Sequence, residues 1–237
     1  MTPTSSEGTF AQQEREGFLI QLASGATKTF SNAEQLFQEA RILRKNGKLG
    51  RALFLHQISM EECAKVQMLA AWAAGLLMGD KADSKQLVAS LASHRAKNHT
   101  NAYMLKPTKQ ESEARERGDW KGSRDEFEIL QAEFHQRSNT EKNASLYVDF
   151  KEGVFVAPAE KITEEMVSEI AARNADFLNL MNGWANRLWG WANHASDLAD
   201  EFRWFKMRAE ELRSEIPNDP KKIMETLMEE MPPGRLG

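Results

Sequence analysis

The chain has 237 residues with a net charge of −4, and Cys63 is its single cysteine. An internal disulfide and a thiolate zinc cluster are therefore excluded. So mildly acidic a chain is no general polyanion binder, and any nucleic acid has to be met by a local basic patch.

This length supports a hydrophobic core without staples, and no Ser/Gly-rich stretch divides it. The N-terminus, Met1-Thr-Pro-Thr, lacks the basic and apolar blocks of a signal peptide. The most apolar stretch, Leu49 to Met78, holds Arg51, His56, Glu61, Glu62 and Lys65. That pattern suits a buried helix and not a membrane span. The expectation is an all-α, soluble, cytoplasmic protein without membrane contact. It divides into a partly disordered N-terminal segment (1–28), a helical bundle (29–216) and a short C-terminal helix with a tail (217–237).

In chain order, residues up to about Gly8 are expected to be disordered. Phe10 to Leu22 reads as a short helix ended near Gly25. Ser31-Asn-Ala-Glu34 is a capping box, and the amphipathic run it opens stops at Asn46-Gly47. The next helix, Leu49 to Met78, is apolar nearly all round and belongs in the middle of the bundle. So short a turn places the two antiparallel. Gly79-Asp80 closes the second helix. Asp83-Ser-Lys-Gln86 caps a third, to about Tyr103. Lys106 to Gly122 reads as a charged loop with a helical turn, and Ser123-Arg-Asp-Glu126 starts a fourth helix.

Leu146 to Phe150 and Val154 to Val156 flank Lys151-Glu-Gly153, the one hairpin signal (146–156). A lone hairpin is marginal, so it is expected to pack on the helices. Thr163 caps a helix with Glu164 and Glu165 at its positive end. An apolar seam follows through Val167, Ile170, Phe177, Met181, Trp184, Leu188, Trp191, Ala195, Leu198, Phe202 and Phe205, with Asn174 its polar member. Its steps alternate three and four. One helix from Thr163 to Ser214 would be roughly 75 Å long at 1.5 Å per residue, so a break is expected near Asn193 to Ser196. Asp219-Pro220 caps a last short helix.

A di-iron bundle needs Glu-x-x-His pairs. The residues three before the histidines are Leu53, Leu91, Ala96, Ala132 and Trp191. No metal or cofactor is expected on that pattern. No phosphate-cradling Gly-rich loop and no Gly-x-Ser-x-Gly elbow is found. What remains is His94-Arg95-Ala96-Lys97-Asn98-His99. Histidine can give or take a proton near neutral pH, and Arg and Lys can hold a phosphate and its growing charge. These are the parts needed to cleave RNA without a metal. Solvated, capping cations near a helix C-terminus would account for the same residues. On the second helix, Glu61 and Lys65 or Glu62 and Lys65 can pair. Such a pair is either an internal salt bridge or a support for the cationic cluster.

Several of these pieces recur together in one order. Ala33-Glu34-Gln-Leu36 is followed by Asn46-Gly47, Arg51-Ala-Leu-Phe-Leu55, Glu61-Glu62-Cys-Ala-Lys65 and His94-Arg-Ala-Lys97. Leu146-Tyr-Val-Asp149, Gly153, Pro158 and a Thr-Glu-Glu helix start come later. Over Ser31 to Asn179 the chain resembles the abortive infection protein V (AbiV) family, a branch of the HEPN superfamily. The resemblance implies a HEPN-like helical bundle, often dimeric, acting in phage defence. Many HEPN proteins resemble metal-independent RNases that use an arginine and a histidine. Their spacing is wider than the three residues between Arg95 and His99, and Ala96 stands where a polar residue is usual. His94 and Lys97 match the His-x-x-Lys of the AbiV branch.

The expected site is therefore Arg95, His99, His94 and Lys97, with Glu62, Lys65 and Asn98 in support. On a helix the pairs Arg95/His99 and His94/Lys97 each converge, pointing roughly 100° apart. His94 and Lys97 are expected to face Glu62 and Lys65, and Arg95 and His99 to line a cleft. Two function classes stand: an abortive infection effector acting on RNA or translation, or a non-catalytic module that blocks a phage or host protein. A homodimer is expected to bury either the Trp184/Trp191 seam or the second helix.

Overall fold

The computed structural model describes residues 5–217 and 219–231. It is all-α apart from one small hairpin. α1 (Ser5–Lys45) and α2 (Leu49–Leu77) form an antiparallel pair, on which α8 (Glu164–Asn193) packs. α4 (His94–Ala102) and α6 (Trp120–Leu146) lie against α2 as well, so α2 is the central helix. Its buried residues range from Gly50 to Leu77.

α1 is one uninterrupted helix, not a short helix followed by a capped one. It also runs through the expected boundary at residue 28, and Ser5 to Gly8 form its first turn. The expected disorder of residues 1–4 and the tail beyond Met231 lie outside the described residues. Tertiary packing overrides the local stop signals. Leu19, Leu22, Ala23, Ala26, Ala33 and Ala40 keep one buried stripe through the Gly25 to Ser31 region. A side chain at Gly25 would meet Leu69 at 3.6 Å, so the glycine sits where α2 comes close. A helical glycine costs only about 1 kcal/mol relative to alanine.

The Asn46-Gly47 turn forms as expected. Gly47 has φ 69°, and Lys48 N–H donates to the Leu43 carbonyl at 2.9 Å. The expected third helix is two: α3 (Ser84–Ala92), capped by Asp83, and α4, capped by Ser93. Ser93 Oγ accepts from Ala96 N–H at 3.2 Å. The charged loop contains α5 (Lys109–Glu116), capped by Thr108. α6 begins three residues before its expected start, because Asp119 is the cap and Ser123 is buried.

β1 (Asp149–Lys151) and β2 (Val154–Val156) pair antiparallel through Glu152 and Gly153, both at positive φ. The hairpin is not packed down as expected. Phe150, Val154 and Phe155 are exposed, Phe155 at 75%. The pair is held instead by the Phe150–Phe155 ring contact and by the Asp149–Lys161 ion pair to α7 (Pro158–Lys161).

The long apolar seam breaks at His194, between α8 and α9 (Ala195–Glu215), where length required it. α10 (Pro220–Glu230) follows, capped by Asp219. Val167, Ile170, Phe177, Met181, Leu188, Ala195 and Phe202 are buried within this chain. Trp191 stacks edge-on between Trp184 and Phe202. These seam residues and most of α2 thus pack within the chain's own core, while Trp184, Trp191, Leu198 and Phe205 stay partly exposed. Among the described residues no helix is long and apolar enough to cross a membrane.

Candidate functional site: two faces of one short helix

Ser93 resets the chain so that His94 opens α4. The inner face of this helix turns to α2 and α6. Glu61, 3% exposed at its side chain, accepts from Lys97 Nζ at 2.8 Å and from Lys142 Nζ at 2.9 Å. His94 Nδ1 lies 2.6 Å from the same carboxylate. So short a contact with a carboxylate assigns the proton to Nδ1. Burial acts most strongly on Glu61 and favours the neutral acid, but the hydrogen bonds and charges of Lys97 and Lys142 together outweigh it and lower its pKa. Lys97 and Lys142 are almost as buried, while His94 is 56% exposed and forms the open edge of the cluster. Asn101, also buried, donates to the Met60 carbonyl at 3.0 Å and ties α4 to α2.

His94 and Lys97 therefore face helix two, but their acid is Glu61 and not Glu62. Glu62 pairs with Lys65 at 2.5 Å. Neighbouring residues on a helix point about 100° apart, so only one of the two glutamates can turn to α4. Lys142, on α6, was not found by sequence reasoning.

The outer face carries Arg95 and His99. Both line a cleft of about 460 Å³ against α6, with Glu128, Gln131, Ala132 and His135. Burial, then the charges of Arg95 and His135, lower the pKa of His99. At neutral pH its ring is uncharged and able to accept a proton. Gln131 Nε2 donates to the His99 carbonyl at 3.1 Å. Asn98 is buried between the two faces, its side-chain amide 3.1 Å from His135 Nδ1.

Cys63 is buried, and burial, reinforced by Glu62, pushes its thiol up to about 12, so it offers no thiolate. Among the described residues no three His, Cys, Asp or Glu side chains gather as ligands for a metal ion.

An all-α bundle with a cationic short helix braced by a buried glutamate is the class these features define. The sequence profile of AbiV, a HEPN family, matches residues 21–179, and the chain belongs to that family. Protein y4gJ of Sinorhizobium fredii (strain NBRC 101917 / NGR234), described as uncharacterized, is 46% identical over 104 residues. The aligned part is 44% of this chain and 54% of that protein, so the chain spans about half the length of this relative. No solved structure matches.

Proposed function

We propose that the protein is an abortive infection effector of the HEPN type that acts on RNA, as a metal-independent endoribonuclease working at the outer face of α4. One observation carries this reading: Arg95 and His99, four apart on one helix face, open together into a cleft of about 460 Å³. The guanidinium suits a phosphodiester oxygen, and a neutral imidazole beside it suits removal of a ribose 2′-hydroxyl proton. On this reading the inner cluster around Glu61 holds α4 in place and adds positive charge behind the cleft. The effect in the cell is loss of RNA or of translation during phage infection.

The test is purified protein with total RNA in EDTA. Cleavage by the wild type that is lost in Arg95→Ala and His99→Ala supports the reading. Equal cleavage by all three, or none, defeats it.

A second reading has its own support. Tyr147, Val148, Phe150, Val154 and Phe155 expose an apolar surface around the hairpin, such as protein-binding modules use. A non-catalytic protein that blocks a phage or host partner would use this surface and leave the α4 charges structural. Phage resistance that survives His99→Ala but not Phe155→Ser would favour it.

A further inference from the structure

α6 brings into the cleft a second imidazole. The ring centres of His135 and His99 are 6.1 Å apart, with their planes nearly perpendicular. The separation is within the reach of one phosphate hydrogen-bonded on both sides, about 8 Å from nitrogen to nitrogen. Arg95 lines the same cleft, and Glu128, its one acid, is 3.5 Å from Arg124.

The second ring is oriented, not merely present. Asn98 is 1% exposed and reaches His135 Nδ1 at 3.1 Å. An amide can serve either form of an imidazole: its N–H donates to the bare Nδ1 of the neutral ring, and its oxygen accepts from Nδ1–H of the charged one. In both cases Nε2 is the nitrogen left for a bound group. A buried amide spent on one ring nitrogen is the support that a proton-transferring histidine needs.

We propose that His135 is a catalytic residue of this cleft, the proton donor to the leaving group, with His99 the acceptor and Asn98 the positioning residue. The proposal rests on the reading that the cleft cleaves RNA. His99 takes the proton of the ribose 2′-hydroxyl, and that oxygen forms a bond to phosphorus. The bond from phosphorus to the 5′-oxygen breaks, and its electron pair goes to that oxygen. His135, as imidazolium, gives it a proton. The products are a 2′,3′-cyclic phosphate and a 5′-hydroxyl, and no co-reactant is consumed. Arg95 holds the non-bridging oxygens as charge grows on them.

The test uses two oligoribonucleotides, each with a single cleavable linkage, in EDTA. One has the ordinary 5′-oxygen at the scissile bond and the other a bridging 5′-sulfur, which leaves as a thiolate without being protonated. His135→Ala should lose about 100-fold or more on the oxygen substrate and stay close to the wild type on the sulfur substrate. His99→Ala should lose on both. His135→Gln, which keeps a polar partner for Asn98, should behave as His135→Ala. Equal losses on the two substrates, or no loss, would overturn the role of His135 while RNA cleavage by the cleft still stood. A wild type that cleaves neither substrate would overturn the RNA reading itself, and this role with it.

Discussion

The two faces of α4 carry similar residues to opposite ends. On the inner face His94 and Lys97 are engaged by a buried carboxylate, and Lys142 completes the set. Across the helix, Arg95 and His99 border open space. A charge that is buried and paired is a structural element, because removing its partner strands it in a medium that solvates it poorly. Left at a cleft, a charge keeps its capacity for a ligand. The residue types alone do not separate the two cases; the side of the helix does.

The sharpest way to break this contrast is Glu61→Ala. It leaves Lys97 and Lys142 buried without a counter-charge and should cost about 3–5 kcal/mol, read as a fall in the urea midpoint. Arg95→Ala, on the outer face, should change stability by no more than about 0.5 kcal/mol. If Glu61→Ala proves equally mild, the inner face is not structural.

Next is His56, buried between α1 and α8. Burial first, then the charges of Arg44 and Arg41, lower its pKa from 6.5 to about 4. The unfolded chain therefore binds a proton that the folded chain refuses. Stability is full above pH 6.5, falls as the pH drops toward 4, and is flat below that as far as this group is concerned. The loss is about 3 kcal/mol. His56→Gln should flatten the slope between pH 4 and 6.5 in pH-dependent denaturation. An unchanged slope would assign the acid sensitivity to other groups.

Gly50→Ala comes third. A Cβ there would lie 2.6 Å from the Ser145 carbonyl oxygen, in backbone that cannot swing aside. A cost of about 1–3 kcal/mol is expected, measured by thermal melting. Because Ser145 sits at the end of α6, this variant should also disturb Lys142 more than Arg95. The smallest effect is expected of His94→Ala. Its ring is half exposed and its loss leaves Glu61 both lysines, so about 1 kcal/mol should be lost. A larger loss would make His94 a structural member in its own right.

Much of the frame was legible because its signals are local. Asn46-Gly47, Thr163, Asp219-Pro220 and the hairpin residues each act within a few positions. Length alone required the break near His194. What failed was where distant packing decides. The stripe from Leu19 to Ala40 carries α1 through Gly25 and past an apparent cap at Ser31. Glu61 and Glu62 are chemically identical, and only the placement of α4 and α6 selects one. Lys142 and His135 belong to a helix whose start was misplaced. They are seven apart, two helical turns, and so share the face that α4 meets. With Phe134, Ser138 and Ser145, all buried, that spacing was the signal available. His94, Arg95 and His99 stand out in the sequence because they sit together in the chain; the residues of α6 that the fold sets beside them do not.

The serine between α3 and α4 has a consequence for how this region opens. No residue of α3 is buried, whereas α4 buries Lys97, Asn98, Asn101 and Ala102 and carries its own N-cap. Melting α3 therefore takes nothing from the hydrogen bonds that start α4. Amide hydrogens of Leu87 to Leu91 should exchange with solvent through frequent local unfolding. Those of Asn98 to Ala102 should wait for the rarer opening of the bundle. A protease that nicks the chain near Val88 would leave the helix bearing both faces seated.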